Sequence, residues 1–207
     1  MSRYEVPRSE GGYEPGSGGL VLCNRLGIRD PAVMDDAELL LLERLYRSVL
    51  SVEFPDRRLR VADLKHWHHR WLGNLYGWAG HERSVNMAKG SFHFAAAAQL
   101  PRLLDEFQRE CLNRFTPTHG FQDEVLVEAL AVTHVELILI HPFREGNGRL
   151  ARLLADVMAV QAGAGLLDYS SWDAAREQYF AAIRKGLDKD YSDMMRFMED
   201  ALQAGSG

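Results

Sequence analysis

The sequence predicts an all-α domain that carries one small β-hairpin. Two observations lead to this fold class. Apolar residues recur at helical spacing in one segment of the chain after another. One segment, around Lys89 and Gly90, instead has the pattern of two short strands joined by a turn. Because no internal repeat is evident, a single packed domain is expected rather than an array of repeats.

The predicted helices alternate with short connectors. The first covers residues 33–52, and Pro31 suits its start because proline fits the first turn of a helix. The helix over residues 121–140 is long and mostly apolar, so it is expected at the centre of the fold. The remaining helices are predicted over residues 61–76, 96–113, about 148–162, 172–186 and 191–204. The two strands of the hairpin are predicted over residues 83–87 and 92–94.

The ends of the chain set the expected domain organisation. Residues 1–19 hold five of the 18 glycines and are predicted to be a flexible lead-in. Residues 20–204 are predicted to form one domain, which at this length can bury a sizeable core. The lead-in lacks the apolar centre of a signal peptide, which favours a cytoplasmic protein.

Bulk properties narrow the classes of partner. A net charge of −5 argues against a nonspecific nucleic-acid binder. No run of 18 apolar residues is present, so no membrane span is expected. The two cysteines, Cys23 and Cys111, lie far apart in the sequence, which is typical of a reducing compartment without a disulfide framework.

The most unusual segment is residues 141–152, which read His-Pro-Phe-Arg-Glu-Gly-Asn-Gly-Arg-Leu-Ala-Arg. His141 can take a proton near neutral pH, and Glu145 offers the hard oxygen that suits Mg²⁺ beside a polyphosphate. The two glycines allow backbone N–H groups to converge on an anion at the start of the following helix. Arg149 and Arg152 share one helical face and can both bind phosphate oxygens. The segment therefore predicts a phosphate site with a base beside it.

These residues carry a family resemblance. Residues 141–152 match every specified position of the Fic-domain signature, His-Pro-Phe-x-(Asp/Glu)-Gly-Asn-Gly-Arg-x-x-Arg. Residues 76–80, followed by Arg83, Lys89, Gly90 and Phe94, are similar to the family's Trp-Ala-Gly segment and flap hairpin. Residues 23–28 resemble the leading segment of bacterial toxin-type members. The resemblance extends over about residues 20–200.

The resemblance implies a Fic fold of about seven or eight helices with a hairpin flap. It also implies an enzyme, a protein adenylyltransferase that moves AMP from ATP to a Ser, Thr or Tyr hydroxyl of a target protein and releases pyrophosphate. On this analogy His141 deprotonates the hydroxyl and Glu145 holds Mg²⁺. The anion hole is formed by Gly146, Asn147 and Gly148, and the outer phosphates are bound by Arg149 and Arg152. The hairpin that clamps the target contains Ala88, Lys89, Gly90 and Ser91, and Tyr179 lies near the adenine.

One departure from the family pattern concerns regulation. Many Fic proteins carry an inhibitory helix of the form (Ser/Thr)-x-x-x-Glu-(Gly/Asn), whose glutamate pairs with the second motif arginine. In this sequence no Ser or Thr has Glu four residues later. The resemblance therefore leads to the hypothesis that a separate small antitoxin supplies the helix and pairs its glutamate with Arg152, the alternative being an inhibitory element that the sequence does not reveal.

Other functions remain open at this stage. Fic relatives also transfer phosphoryl or phosphocholine groups, and a third possibility is a non-enzymatic nucleotide-binding module. The spacing of His66 and His69 raises the question of a zinc site, but no cysteine or third ligand lies nearby, so we interpret both as structural.

Overall fold

A computed structural model describes residues 10–205 of the chain, so the first nine residues of the predicted lead-in lie outside it. The described fold is mostly helical with one two-stranded hairpin, which confirms the predicted fold class. The helices are α1 (Pro31–Arg47), α2 (Val61–Leu72), α3 (Leu100–Phe107), α4 (Asn113–Phe115), α5 (Asp123–Ile140), α6 (Asn147–Ala162), α7 (Arg176–Lys185) and α8 (Ser192–Gly205). Single π-helical turns continue α1 over Ser48–Val52 and α3 over Gln108–Leu112.

Helix α5 lies at the centre of the molecule, as its apolar sequence predicts. It packs against α6 and α8, and it also contacts α3 and α7. Its residues Leu130, Val135 and Leu137 are fully buried. Because α5 is covered on several sides, its carboxyl end and the loop that follows are held firmly by the core.

Local sequence explains most helix ends. The Asp30 carboxylate accepts a hydrogen bond of 2.9 Å from the backbone N–H of Ala32, and Pro31 occupies the first turn of α1. Helix α2 ends at Leu72, four residues before the predicted end, and Gly73 caps it. A bend then carries the chain through residues 74–80 back toward α2, where Gly80 adopts a positive φ of 85° against His69.

The hairpin differs from its prediction. Its strands are β1 (Ala88–Lys89) and β2 (Phe92–His93), which pair Ala88 with His93 and Lys89 with Phe92. The first strand was predicted over residues 83–87, and this position is wrong because β1 begins at Ala88. Arg83 instead turns inward, because its side chain and backbone N–H donate to carbonyl groups beyond the end of α5, whereas Ser84 and Asn86 stay exposed.

Residues 10–19 contact the rest of the fold. Tyr13 forms an isolated bridge with Leu22, and the buried Glu14 carboxylate accepts a hydrogen bond of 3.2 Å from the backbone N–H of Asn24. The boundary between lead-in and domain at residue 20 stays a prediction. None of the helices within residues 10–205 is long and apolar enough to cross a lipid bilayer.

Candidate active site

A cavity of about 520 Å³ lies where the hairpin, the end of α5, the start of α6 and helix α7 meet. Most of the site residues predicted from the sequence share its wall. These are Ala88, Lys89, His141, Glu145, Asn147, Gly148, Arg149, Arg152 and Tyr179. The other three lie elsewhere: Gly90 and Ser91 form the exposed turn of the hairpin, and Gly146 is buried behind the loop.

His141 closes α5 in a left-handed backbone conformation, with φ of 51° and ψ of 59°. Its ring stacks on Phe94 beside β2, with ring centroids 3.7 Å apart. The Nδ1 atom lies 3.2 Å from the carbonyl oxygen of Ile138. A carbonyl can only accept a hydrogen bond, so Nδ1 carries the proton and Nε2 keeps its lone pair.

The protonation state of His141 suits a base. Burial lowers its pKa from 6.5 to about 4, and the positive charges of Arg83 and Lys89 act in the same direction. The hydrogen bond to Ile138 opposes this shift without cancelling it. The imidazole is therefore neutral near pH 7 and can accept a proton directly.

The loop between α5 and α6 is closed by Asn147. Its buried side-chain oxygen accepts a hydrogen bond of 2.9 Å from the backbone N–H of Phe143, and its amide nitrogen donates to the Phe143 carbonyl at 2.8 Å. The side chain of Asn147 is thus occupied by the loop itself. Any anion at the start of α6 would be bound by backbone N–H groups, with Gly148 leaving open space beside them.

Gly146 is required by two features of this loop. Its φ of 82° lies in the left-handed region, and an added Cβ would come 2.6 Å from the ring of Trp71. Trp71 is itself fully buried on α2, so it cannot move aside easily.

Gly146→Ala is therefore expected to destabilise the fold by about 1–3 kcal/mol and to displace the loop. Urea unfolding checks the expectation, with Gly148→Ala as the matched control, because a Cβ at Gly148 meets nothing within 4 Å. Equal unfolding midpoints for the two variants would contradict it.

Glu145 has the properties of a ligand for Mg²⁺. One of its oxygens accepts a hydrogen bond of 2.8 Å from the backbone N–H of Gly146, and the side chain is 45% exposed at the cavity wall. Residues 10–205 contain no cluster of three or more His, Cys, Asp or Glu side chains that could hold a metal ion. A single carboxylate fits an ion that takes its other ligands from phosphate and water, as Mg²⁺ does beside nucleotides.

The two motif arginines have different surroundings. Arg149 donates to the buried carboxylate of Glu38 on α1 at 2.7 Å and lies over the ring of Trp71. The Cζ atom of Arg152 lies 5.2 Å from the ring centroid of Tyr169 and 5.4 Å from that of Trp172. Within the described range, no carboxylate oxygen comes within 4.0 Å of the Arg152 guanidinium group. Arg152 therefore keeps its charge available for an anion.

The cavity as a whole attracts anions. Its wall contains the cationic Lys89, Arg149, Arg152 and Arg176, together with the acidic Glu145 and Asp173. The chain carries a net charge of −5, so this local excess of positive charge is not a general property of the surface.

Sequence reasoning missed several residues that build the site. Glu38 pairs with an arginine 111 positions away, and no sequence signal links the two. His68 is fully buried, accepts a hydrogen bond from the backbone N–H of Gly80, and donates one of 3.0 Å to the Glu145 carbonyl. His69 bonds to the carbonyl of Ala79, so His68 and His69 both position backbone, whereas His66, the third histidine of α2, is exposed.

Burial also lowers the pKa of His68 to about 4 and that of His134 to about 3. With His141, these side chains bind protons in the unfolded chain below pH 6.5 but stay neutral in the folded protein down to about pH 4. The unfolded state then holds more protons, so stability falls as the pH is lowered through this window. Asp156 opposes the trend below about pH 6, because burial raises its folded pKa to about 6.

The free energy of unfolding is therefore expected to decrease between pH 6.5 and 5. Each buried histidine contributes roughly 1.4 kcal/mol per pH unit, and Asp156 offsets about one of them. Urea titrations across this range measure the slope of the unfolding free energy against pH. In His141→Asn this slope should be shallower by the contribution of one histidine, roughly 1.4 kcal/mol per pH unit. A flat profile would show that these histidines are not neutral in the fold.

Comparisons with known proteins point to one family. Residues 58–159 match the model of the Fic/DOC family. The chain is 29% identical over 143 residues to the probable protein adenylyltransferase y4lH of Sinorhizobium fredii, covering 69% of this chain and 72% of that protein. It is 28% identical over 181 residues to the protein adenylyltransferase VbhT of Bartonella schoenbuchensis, covering 84% of this chain and 35% of VbhT.

Solved structures share the fold. The N-terminal Fic domain of an effector protein from Bartonella sp. AR 15-3 superimposes with a TM-score of 0.74 at 22% identity, covering 97% of this chain and 95% of that one. The BepC protein of Bartonella tribocorum, solved with bound AMPPNP, gives a TM-score of 0.73 at 20% identity, covering 94% and 97%. At these identities the likeness establishes the Fic fold.

Proposed function

Starting from the Fic/DOC domain over residues 58–159, we propose that this chain is a protein adenylyltransferase. It transfers AMP from ATP to a Ser, Thr or Tyr hydroxyl of a target protein and releases pyrophosphate. The names of its relatives support this activity. The observation that carries the proposal is the placement of four groups around one cavity: a neutral histidine, a partly exposed carboxylate, a helix N-terminus, and an arginine without a carboxylate partner among residues 10–205.

The phosphates of ATP would bind at the start of α6. Asn147, Gly148 and Arg149 of its first turn line the cavity, so their backbone N–H groups would bind phosphate oxygens there, and Arg152 would supply positive charge for the outer phosphates. Arg149 contributes less, because Glu38 already neutralises it. When bound at Glu145, Mg²⁺ would neutralise phosphate charge. Tyr179 lies in the cavity wall near Trp172, where a nucleobase could stack, and the adenine contact stays a proposal.

The transfer step follows from the state of His141. The target hydroxyl oxygen attacks the α-phosphorus of ATP, and its proton passes to the Nε2 atom of His141. The bond between the α-phosphorus and the oxygen that bridges to the β-phosphate breaks, and pyrophosphate leaves with that oxygen. Positioning and charge neutralisation supply most of the catalysis in such reactions.

The hairpin is proposed to hold the target. Residues Ala88 and Lys89 of β1 and the turn residues Gly90 and Ser91 are exposed at one side of the cavity. A short exposed strand can add an extended segment of another protein by main-chain hydrogen bonds, which places few demands on its sequence. Lys89 also lies 3.9 Å from the ring centroid of Phe180 on α7, so the hairpin reaches across the cavity mouth.

An isotope experiment separates the candidate reactions. The protein is incubated with Mg²⁺, a cell lysate and ATP labelled on either the α- or the γ-phosphate. Label on protein from the α-phosphate alone supports AMP transfer. Label from the γ-phosphate alone would indicate phosphoryl transfer. Failure of both, with ATP still bound, would leave a phosphocholine transferase, tested with its own labelled donor, or a non-enzymatic module.

Regulation by a separate small antitoxin is a further part of the proposal, together with a cytoplasmic location. The antitoxin proposal is supported by the position of Arg152, which is partly exposed in the cavity wall, and by the absence of a carboxylate within 4.0 Å of it in the part of the chain that the structure describes. A glutamate from a partner helix could pair with this arginine and block the outer phosphate site. Purification from the native operon tests the idea, which fails if no small protein associates.

A further inference from the structure

Arg83 is a buried cation whose hydrogen bonds all go to backbone carbonyls. The residue is 2% exposed. Its Nε donates to the carbonyl of His141 at 2.7 Å, Nη1 donates to Val85 at 2.6 Å, and Nη2 donates to Ala95 at 2.5 Å. Its backbone N–H donates to the carbonyl of Pro142 at 2.8 Å. Within residues 10–205, no carboxylate oxygen lies within 4.0 Å of this guanidinium group.

Such an arrangement needs a reason. The nearest acidic influence is Glu10, whose carboxylate accepts hydrogen bonds from the backbone N–H groups of Ser84 and Val85 and acts on Arg83 without contacting its guanidinium group. A buried charge without a counter-ion in contact is costly unless hydrogen bonds replace its hydration. Arginine can meet that demand because its planar fork presents five N–H groups in fixed directions. An apolar side chain could be buried at this position with a smaller desolvation penalty. We therefore look for the role of Arg83 in the segments that its hydrogen bonds join.

The bonds join two parts of the active site. On one side, the Arg83 side chain and backbone bind the carbonyls of His141 and Pro142, and a longer contact of 3.4 Å reaches Ile140. On the other side, Val85 and Ala95 flank the hairpin just before β1 and just after β2. One side chain therefore connects the base of the hairpin to the end of α5.

The connection acts where the backbone is strained. A left-handed conformation costs a non-glycine residue about 1–2 kcal/mol, so His141 keeps it only if its surroundings enforce it. Donors from Arg83 bind the carbonyl of His141 and those on both sides of it. The hairpin contributes to the same end, because Phe94 stacks on the His141 ring.

We propose that Arg83 is a positioning residue that fixes the catalytic histidine and the target-binding hairpin at one separation. Its side chain sets the backbone of His141 and the flanks of the hairpin together, so a target segment bound on β1 presents its hydroxyl to Nε2. The role in transfer rests on the proposed function. The mechanical link between hairpin and histidine does not.

Two readouts measure the link without ATP. Hydrogen exchange reports the backbone amides of Phe94, Ala95 and His141, which bond to the carbonyls of Met87, Leu139 and Leu137. NMR titration reports the pKa of His141, which faces two cationic side chains, Arg83 and Lys89, and which burial lowers further. Lys89 lies on the hairpin and contacts Phe180, so it shares the charge effect of Arg83 but not its bridging role.

The experiment compares Arg83→Gln, Arg83→Lys and Lys89→Gln with the wild type, and uses the exposed Arg102→Gln as a control. Arg83→Gln should speed exchange at all three amides and raise the pKa of His141 toward 6.5. Arg83→Lys keeps the charge but loses the fork, so exchange should rise while the pKa stays low. Lys89→Gln should raise the pKa without changing exchange. Arg102→Gln should leave both unchanged.

Steady-state kinetics of AMP transfer test the role of Arg83 in the reaction. In Arg83→Lys, KM for the target protein should rise and kcat should fall, whereas KM for ATP should change little. Wild-type exchange in both Arg83 variants would overturn the link. If Arg83→Gln does not fold, Arg83→Lys decides alone, because unchanged exchange there overturns it equally. A wild-type protein without AMP transfer would refute the proposed function, yet the exchange result would still stand.

Discussion

His141→Ala is expected to lower kcat for AMP transfer by about 10²- to 10⁴-fold, the usual contribution of a positioned general base. The variant should still bind ATP, because the proposed phosphate contacts are made by the start of α6 and by Arg152 and not by His141. Wild-type protein should keep kcat/KM nearly constant as the pH is lowered from 7 to 5, since the pKa of His141 in the enzyme without substrate is about 4. Single-turnover transfer and ATP binding by calorimetry measure the two effects separately.

A second substitution guards against a structural explanation. Alanine is strained at the left-handed backbone of His141, whereas asparagine tolerates it better. His141→Asn should therefore keep the wild-type urea midpoint near pH 7.5, where all the buried histidines are neutral in both states, and should still lack transfer. Substantial transfer by a folded His141→Asn protein would remove the histidine from the role of base.

Arg152→Ala is expected to have the second largest effect, this time on ATP binding. A hydrogen bond to a charged group contributes about 1.5–3 kcal/mol, so the affinity for ATP should drop by roughly 10- to 150-fold. Fold stability should change little, because Arg152 has no carboxylate partner within 4.0 Å among residues 10–205. The same change should remove control by a partner that uses this arginine.

Arg149→Ala is the matched comparison, three residues earlier on the same helix. Removing Arg149 leaves the carboxylate of Glu38 buried without its cation, so this variant should lose about 3 kcal/mol of stability. The affinity for ATP should fall less than in Arg152→Ala. The reverse pattern, with Arg149 dominating ATP binding and Arg152 dominating stability, would contradict the assignment made from their surroundings.

Helix α5 and the loop after it could be predicted because their signals are local. The apolar run before His141 is long enough for a buried helix, and Pro142 and Gly146 mark where regular structure ends. The chemistry was equally visible, since a base, a carboxylate and two arginines fall within twelve residues. Fold and motif therefore follow from periodicity and from the clustering of residue types.

The contacts around this loop could not be predicted in the same way. The strand expected over residues 83–87 was wrong because Arg83 turns inward to distant carbonyls, a pairing that alternation along the strand cannot reveal. The different roles expected for Arg149 and Arg152 depend on Glu38, which pairs with Arg149 and not with Arg152. Glu38 is brought to the site by the packing of α1 against α2, where Trp71 donates to its backbone carbonyl. Such long-range pairs depend on tertiary packing.

Mass spectrometry of the modified target is the most direct test of AMP transfer. A target captured from lysate is treated with wild-type protein, Mg²⁺ and unlabelled ATP, and its peptides are analysed by fragmentation. We expect one AMP group on a Ser, Thr or Tyr side chain, with pyrophosphate released in equal amount and no product from His141→Asn. A target that gains only a phosphate group, or that is modified equally by His141→Asn, would rule out AMP transfer with His141 as the base.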